Sequence, residues 1–430
     1  VEQPTGTVLT SLPGPPARPP APDLTRLLGG PSGPHAQKTC ACRRTHHRHR
    51  LTLLGLGVDR ATVVTHAEAQ LDDADRCPDP GCAWHSLLAL VFAGELVLAD
   101  LHCSRLSGRP RWSGTGPAAQ AVRIVRSRIT LLAGDPGGAR RILDELIREP
   151  LAGTLDTVAV AWLTEALLHL GEPYRAETLL TGRGRAGALP AHLPGKAPLL
   201  QARGQLGLTL RRSRHALKDF LACGAETAAC DVTNPAVLPW RTGAALCLRE
   251  LGQDGQAHTL AHAELAGARQ WGSPREIGRT LLTTALLEDG PAARDLVTEA
   301  IDLFTVSDAP GDITYAAHVV GSAPGLRRDV VWTRRTLRRI AELAHRSGNR
   351  HAADRAADTL SGFLSVHGDP ALTRHETEVV HLVWAGYDNT EIADRLSLTR
   401  RTVEHHLSSV YQKFGLTDRR HLFRAMTELS

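Results

Sequence analysis

Three segments of this 430-residue chain share one arrangement: a leucine-rich stretch, a glycine, an alanine five residues on, and a small or apolar residue four beyond that. They are ITLLAGDPGGARRIL (Gly134, Ala139, Leu143), ALLHLGEPYRAETLL (Gly171, Ala176, Leu180) and LCLRELGQDGQAHTLA (Gly252, Ala257, Ala261). The glycine permits the left-handed turn that ends one helix, and the small residue lets a second helix pack closely on the first. Gly134 and Gly171 lie 37 residues apart, and Gly171 and Gly252 lie 81 apart, which is twice a period of about 40. A degenerate unit, LRRSRHALKDFL (Ala216, Phe220), fits the gap, and a weaker one follows at LAHRSGNRHAADRAA (Gly348, Ala353, Ala357). A fixed period of that size predicts stacked helical hairpins, here over residues 51–365.

Hydrophobic residues make up 42% of the chain and aromatic residues 4%, a balance that suits close-packed helices better than β-sandwiches. The array resembles tetratricopeptide-type repeats in architecture, although most tryptophan and tyrosine positions of that family are unmatched. The expected fold is all-α: a tetratricopeptide-like array followed by a four-helix helix-turn-helix domain. Such arrays present concave surfaces, so the expected partner is a ligand or protein whose identity no residue discloses. The longest apolar run, Leu87 to Ala99, is interrupted by Glu95 and is shorter than the roughly 20 residues of a spanning helix. It is expected to be a buried helix, with no membrane partner. No basic segment followed by an apolar core opens the chain, so a cytoplasmic location is expected.

Nine of the first 35 residues are proline, and residues 1–50 are expected to form a disordered arm. The tract KTCACRRTHHRHR (38–50) offers Cys40, Cys42, His46, His47 and His49 as metal ligands, with Cys77 and Cys82 as distant partners. A Cys-x-Cys pair without a second pair at zinc-finger spacing is a weak signal, so the tract reads as solvated and basic, with no metal or cofactor. Cys103 and Cys247, in apolar helical surroundings, read as small core residues.

After a hinge at 366–370, residues 371–430 read as four short helices. Thr373 with Glu376, and Asp388 with Glu391, form capping boxes, and Gly386 closes the first helix. A tight turn, Leu396-Ser397-Leu398, leads to Thr399 as the cap of a third helix running to Gly415; TDRRHLFRAMTE makes a fourth. A short helix, a three-residue turn and a longer helix form a helix-turn-helix, whose second helix enters the major groove. Val403, Leu407, Val410 and Phe414 fall on one stripe of the third helix and form its core face. The opposite side carries Arg401, His405, Ser408, Ser409 and Gln412, with Glu404 and His406 on the flanks. The domain holds eight basic and eight acidic residues, but from Arg395 to Arg424 seven basic residues face only Glu404 and Asp418. That local excess suits docking on a polyanion.

The stretch LTRHETEVVHLVWAGYDNTEIADRLSLTRRTVEHHLSSVYQKFGLTDRRHLFRAM resembles the C-terminal DNA-binding domain of LuxR-type transcription regulators. Leu372, Thr373, Glu376, Glu378, Val379, Gly386, Asn389, Glu391, Ile392, Ala393, Leu396, Thr402, Val403, His406, Lys413, Gly415 and Arg419 match its pattern. Departures are His375 for a usual arginine, Glu404 for a frequent lysine and Ser409 for a frequent asparagine. The reading that follows is a sequence-specific transcription regulator, with activation as the family expectation. Arg400, Arg401, Thr402 and Lys413 would bind phosphates, while Glu404, His405, Ser408 and Ser409 would face base edges. The resemblance further implies double-stranded DNA as partner, a homodimer through the fourth helix, and contact with RNA polymerase.

Upstream, residues 239–281 are similar to the helical-repeat segment of the large ATP-binding LuxR-family regulators. Those proteins carry a nucleotide-binding domain, whereas none of the four lysines here (Lys38, Lys196, Lys218, Lys413) completes a Gly-x-x-x-x-Gly-Lys-Ser/Thr loop. No ATP switch is therefore expected. Region 4 of a sigma factor shares the helix-turn-helix, but the Gly415-to-Arg419 turn and fourth helix stand against it. A helical-repeat signalling adaptor is the alternative of a different class. No nucleophile with a base, paired carboxylates or metal cluster suggests an enzyme.

Overall fold

The computed structural model describes residues 22–31, 46–77, 79–151, 154–191, 193–307, 310–346, 353–354, 356–361, 372–414 and 418–422. Among these residues the chain is helix, turn and coil, with no strand, so the all-α expectation holds. Among the described residues no helix is long and apolar enough to cross a membrane. The chain divides into two compact units, Val1–Leu287 with Asp302–Gly311, and Glu288–Ile301 with Asp312–Ser430. The expected hinge, 366–370, lies outside the described residues.

The first unit begins with α1 (Leu24–Leu28), α2 (His46–Leu56), α3 (Arg60–Asp72), α4 (Pro80–Ala93) and α5 (Leu96–Ser107). Four hairpins follow: α6 (Pro117–Leu132) with α7 (Pro136–Leu146), α8 (Leu155–His169) with α9 (Pro173–Gly182), α10 (Lys196–Thr209) with α11 (Ser213–Ala229), and α12 (Trp240–Glu250) with α13 (Asp254–Trp271). A further helix, α14 (Pro274–Ala285), packs on α12 and α13. Within each hairpin the two helices pack together, and each first helix also packs on the first helix of the next hairpin. That pattern is what a stacked array requires, because a lone hairpin cannot bury both of its apolar faces.

The repeat signature explains the local geometry. Gly134, Gly171 and Gly252 take φ of 87°, 74° and 74°, and Ala139, Ala176 and Ala257 are fully buried at the helix–helix contact. In the degenerate unit the turn is made instead by Arg211 at φ 58°. Its Ala216 and Phe220 are buried, and Phe220 fits only because the facing helices present glycine. A Cβ on Gly204 or Gly243 would meet the Phe220 ring at 2.7 or 2.5 Å. The weakest unit does not follow the pattern: Ala357 is exposed, and Gly348 lies outside the described residues.

Two expectations are corrected. Part of the arm predicted to be disordered is folded: α1 buries Leu24, Leu27 and Leu28 and packs on α10. Asp23 caps it, accepting from the Arg26 amide at 2.9 Å; its own amide donates to the Cys230 carbonyl at 2.8 Å, and Trp84 Nε1 donates to the Gly29 carbonyl at 2.9 Å. The proline run ends at Pro22, so this short leucine helix lies just beyond it. Similarly, α2 begins inside the basic tract and buries Arg50, whose guanidinium donates to the His66 carbonyl at 3.1 Å. Cys40 and Cys42 lie outside the described residues, as do the side chains of His46 and His47. The Leu87–Ala99 run is not one helix either, because Gly94 at φ 85° ends α4 and Leu96 starts α5. Cys103 and Cys247 are fully buried as expected, and burial pushes both thiols up to about 12.

Beyond the array run α15 (Gly290–Phe304), α16 (Pro310–Ser322), α17 (Pro324–Arg327) and α18 (Val330–Arg346). Further along the chain lie α19 (Arg374–Trp384), α20 (Asn389–Leu396) and α21 (Arg400–Phe414), and residues 419–422 are also helical.

Candidate nucleic-acid interface

Local signals set the three terminal helices. Thr373 Oγ1 accepts from the Glu376 amide at 3.3 Å while Glu376 Oε2 accepts from the Thr373 amide at 2.6 Å, closing the first capping box. Asp388 and Glu391 close the second in the same reciprocal way, at 2.9 and 2.8 Å. After α20 the chain reverses through Ser397, at φ 53°, and the Leu398 amide donates to the Ala393 carbonyl at 2.9 Å. Thr399 then caps α21, accepting from the Thr402 amide at 3.1 Å.

The core of the domain is formed by Val379, Val380 and Val383 of α19, Ile392 and Ala393 of α20, Val403, Leu407 and Val410 of α21, and Leu422. Each fully buried aliphatic side chain contributes about 1.5–3 kcal/mol, enough to fix which face of α21 points outward. Phe414 ends that helix, and its side chain lies outside the described residues. Of the expected fourth-helix segment only 418–422 are described; 419–422 are helical and Leu422 is buried.

Glu376 ties α21 to α19. It is buried, and its carboxylate accepts from Ser409 Oγ at 2.7 Å and from Lys413 Nζ at 2.5 Å in addition to the Thr373 amide. Burial alone would raise this acid, but the hydrogen bonds from Lys413, Ser409 and Thr373 outweigh it and hold the carboxyl at about 2. Arg419 performs a similar task at the other end of the motif. It donates to Asn389 Oδ1 at 2.7 Å and to the Tyr387 carbonyl, while the Arg395 guanidinium lies 4.0 Å from the Tyr387 ring centroid.

The residues expected to face DNA therefore separate into two groups. Arg400, Arg401, Glu404, His405 and Ser408 are exposed along one side of α21, with Thr402 half-buried in its first turn. Arg400 pairs with Glu404 at 3.0 Å, Ser408 Oγ donates to the Glu404 carbonyl at 2.9 Å, and the Arg401 guanidinium has no partner among the described residues. Ser409 and Lys413 do not join this face. They turn inward to Glu376, whose buried carboxylate accepts a hydrogen bond from each. Both were expected at the DNA, Ser409 at base edges and Lys413 at a phosphate; in this structure both side chains are engaged by Glu376. The residue that reasoning from the chain missed is Glu376 as the centre of this network; its place in a capping box hid its second function.

Residues 370–426 match the family described as bacterial regulatory proteins, luxR family. The chain is also similar to the transcriptional regulatory protein MctR of Rhizobium johnstonii, 28% identical over 179 residues that cover 39% of this chain and 82% of that protein. Shorter matches join it to the transcriptional regulatory protein DegU of Brevibacillus brevis (42% over 48 residues; 11% of this chain, 20% of that one) and to the HTH-type transcriptional regulator MalT of Yersinia pestis (38% over 48 residues; 11% and 5%). The chain thus spans a small part of the length of these last two. Among solved structures, the APC/C hetero-tetramer Cut9-Hcn1 aligns at a TM-score of 0.48 and 14% identity, over 77% of this chain and 58% of that one.

Proposed function

We propose that this chain, whose C-terminal domain belongs to the luxR family of bacterial regulatory proteins and which is a DNA-binding transcription regulator, reads its DNA site with the exposed side of α21 in the major groove. The single observation that supports this most is the two-sidedness of α21: Val403, Leu407 and Val410 are buried, while Arg400, Arg401, Glu404, His405 and Ser408 lie open on the other side. In this reading Arg400, Arg401 and Thr402 hold phosphates at the helix N-terminus, where the helix dipole favours anions. Glu404, His405 and Ser408 face base edges, and Glu404 can accept from the amino group of cytosine once DNA draws Arg400 away.

The fourth helix serves dimerisation and the regulator activates, in contact with RNA polymerase. The helical array acts as the platform for a ligand or protein. One cleft suits that role: about 380 Å³ among α9, α10 and α11, lined by Leu180 and Leu206 and by Arg203 and Asp219, which pair at 3.1 Å. Its size falls within the usual range of small-molecule sites.

Arg401→Ala tests the phosphate role. It should weaken binding evenly across DNA sequences and reduce the slope of log affinity against log salt by about 0.9, the release expected for one phosphate contact. A salt slope equal to that of the unaltered protein would remove Arg401 from the interface.

A further inference from the structure

Two histidines from different helices meet at the edge of the exposed face. His375, in the first turn of α19, and His406, on the flank of α21, stack with ring centroids 5.9 Å apart and planes 8° from parallel. His405 meets His406 nearly at right angles, with centroids 6.2 Å apart. His375 and His405 are exposed and His406 is half-buried.

Charged groups of α19, α20 and α21 are paired elsewhere or exposed, and His381 and His405 are among the exposed ones. On α19, Arg374 pairs with Glu378 at 3.2 Å, and Glu376 is taken up by Ser409 and Lys413. On α21, Glu404 pairs with Arg400 and Arg401 stands exposed. On α20, Glu391 closes its capping box, Arg395 lies over Tyr387 and Asp394 is exposed. No carboxylate among the described residues pairs with either imidazole of the stack. Two parallel imidazoles repel each other once charged, so a structural stack alone gives no reason to place them beside a basic surface without an acid.

An anion supplies that reason. We propose that the edges of His375 and His406 form a seat for one phosphate of the DNA backbone, shared by α19 and α21, and that filling it takes up a proton. The inference rests on the reading of α21 as the DNA-facing helix. A phosphate set against both ring edges accepts a hydrogen bond from each and offsets the repulsion between them. The seat joins the reading helix to the helix that supports it, and so fixes how deeply α21 enters the groove. Because imidazole changes charge near neutral pH, linkage makes DNA affinity fall as pH rises.

The test is equilibrium binding of the full chain to one random-sequence DNA duplex, which isolates backbone contacts from base reading. Between about pH 6 and about pH 8 the unaltered protein should lose about tenfold in affinity. The paired substitution His375→Gln with His406→Gln should remove most of that loss and, at the lower pH, make the salt slope shallower by about 0.9. His375→Arg, which carries a permanent charge, should keep at the higher pH the affinity that the unaltered protein has at the lower one; this arm decides the matter should the double variant fail to fold. A glutamine pair as pH-dependent as the parent, or an arginine variant no tighter than the parent at the higher pH, overturns the seat and leaves the DNA reading standing. No duplex binding by the unaltered protein at either pH overturns both.

Discussion

Glu376 shows how much of the placement of α21 depends on one buried side chain. Its carboxylate receives Thr373, Ser409 and Lys413, and so fixes the rotation of α21 about its own axis, which decides what the outer side presents. Removing the charge leaves Lys413 without its carboxylate and weakens three hydrogen bonds, so Glu376→Gln should cost about 2 kcal/mol, read as a lowered melting temperature of the terminal domain. The pH dependence has a definite sign. The carboxyl is held at about 2 against an ordinary 4.5, so its stabilisation is fully present above the ordinary value and is lost as pH falls towards the lower one. Thermal melts across that acid window should show a slope in the parent that the glutamine variant lacks.

At the level of elements, the array tolerates one departure from its own rule. Arg211 occupies the left-handed turn where the other units have glycine, a conformation that costs an ordinary residue about 1 kcal/mol. Its ion pair with Glu250 at 2.7 Å is formed by an arginine that is 83% exposed, and such pairs contribute little. Arg211→Gly should therefore stabilise the repeat unit by about 0.5 kcal/mol, measurable by urea unfolding; a loss of stability would show that the ion pair outweighs the backbone strain.

The same elements show what could be read from the chain. Glycine followed by alanine at a fixed offset is a local signal with a local cause, and Gly134, Gly171 and Gly252 fall where it predicts. The capping boxes at Thr373 and Asp388 were legible for the same reason. Contacts distant in sequence were not: Leu24, Leu27 and Leu28 are buried by helices far along the chain, and the proline density around them concealed a short helix. Glu264 is a similar case, fully buried on α13 with its carboxylate capping α12 through the Arg241 amide at 2.9 Å and Thr242 Oγ1 at 2.7 Å. On α21, periodicity placed Val403, Leu407 and Val410 on the face that the structure buries. It could not show that Ser409 and Lys413 would be drawn inward, because that depends on a carboxylate of another helix.

For the whole molecule, a net charge of +5 over 430 residues is too small to make the protein a general polyanion binder, so the proposed reading assigns DNA affinity to the terminal domain. Deleting residues 371–430 should abolish retention on duplex DNA, while the remaining chain keeps its helical circular dichroism. Retention by the truncated chain would place the nucleic-acid surface elsewhere. The central claim, that the outer side of α21 reads sequence, is tested most directly by selecting bound sites from a random duplex pool with the parent and with Glu404→Ala. The parent should enrich a defined motif with two half-sites about one helical turn apart, and the variant should relax preference at one or two positions while keeping the rest. An identical motif from both proteins, or no enrichment by the parent, would contradict it.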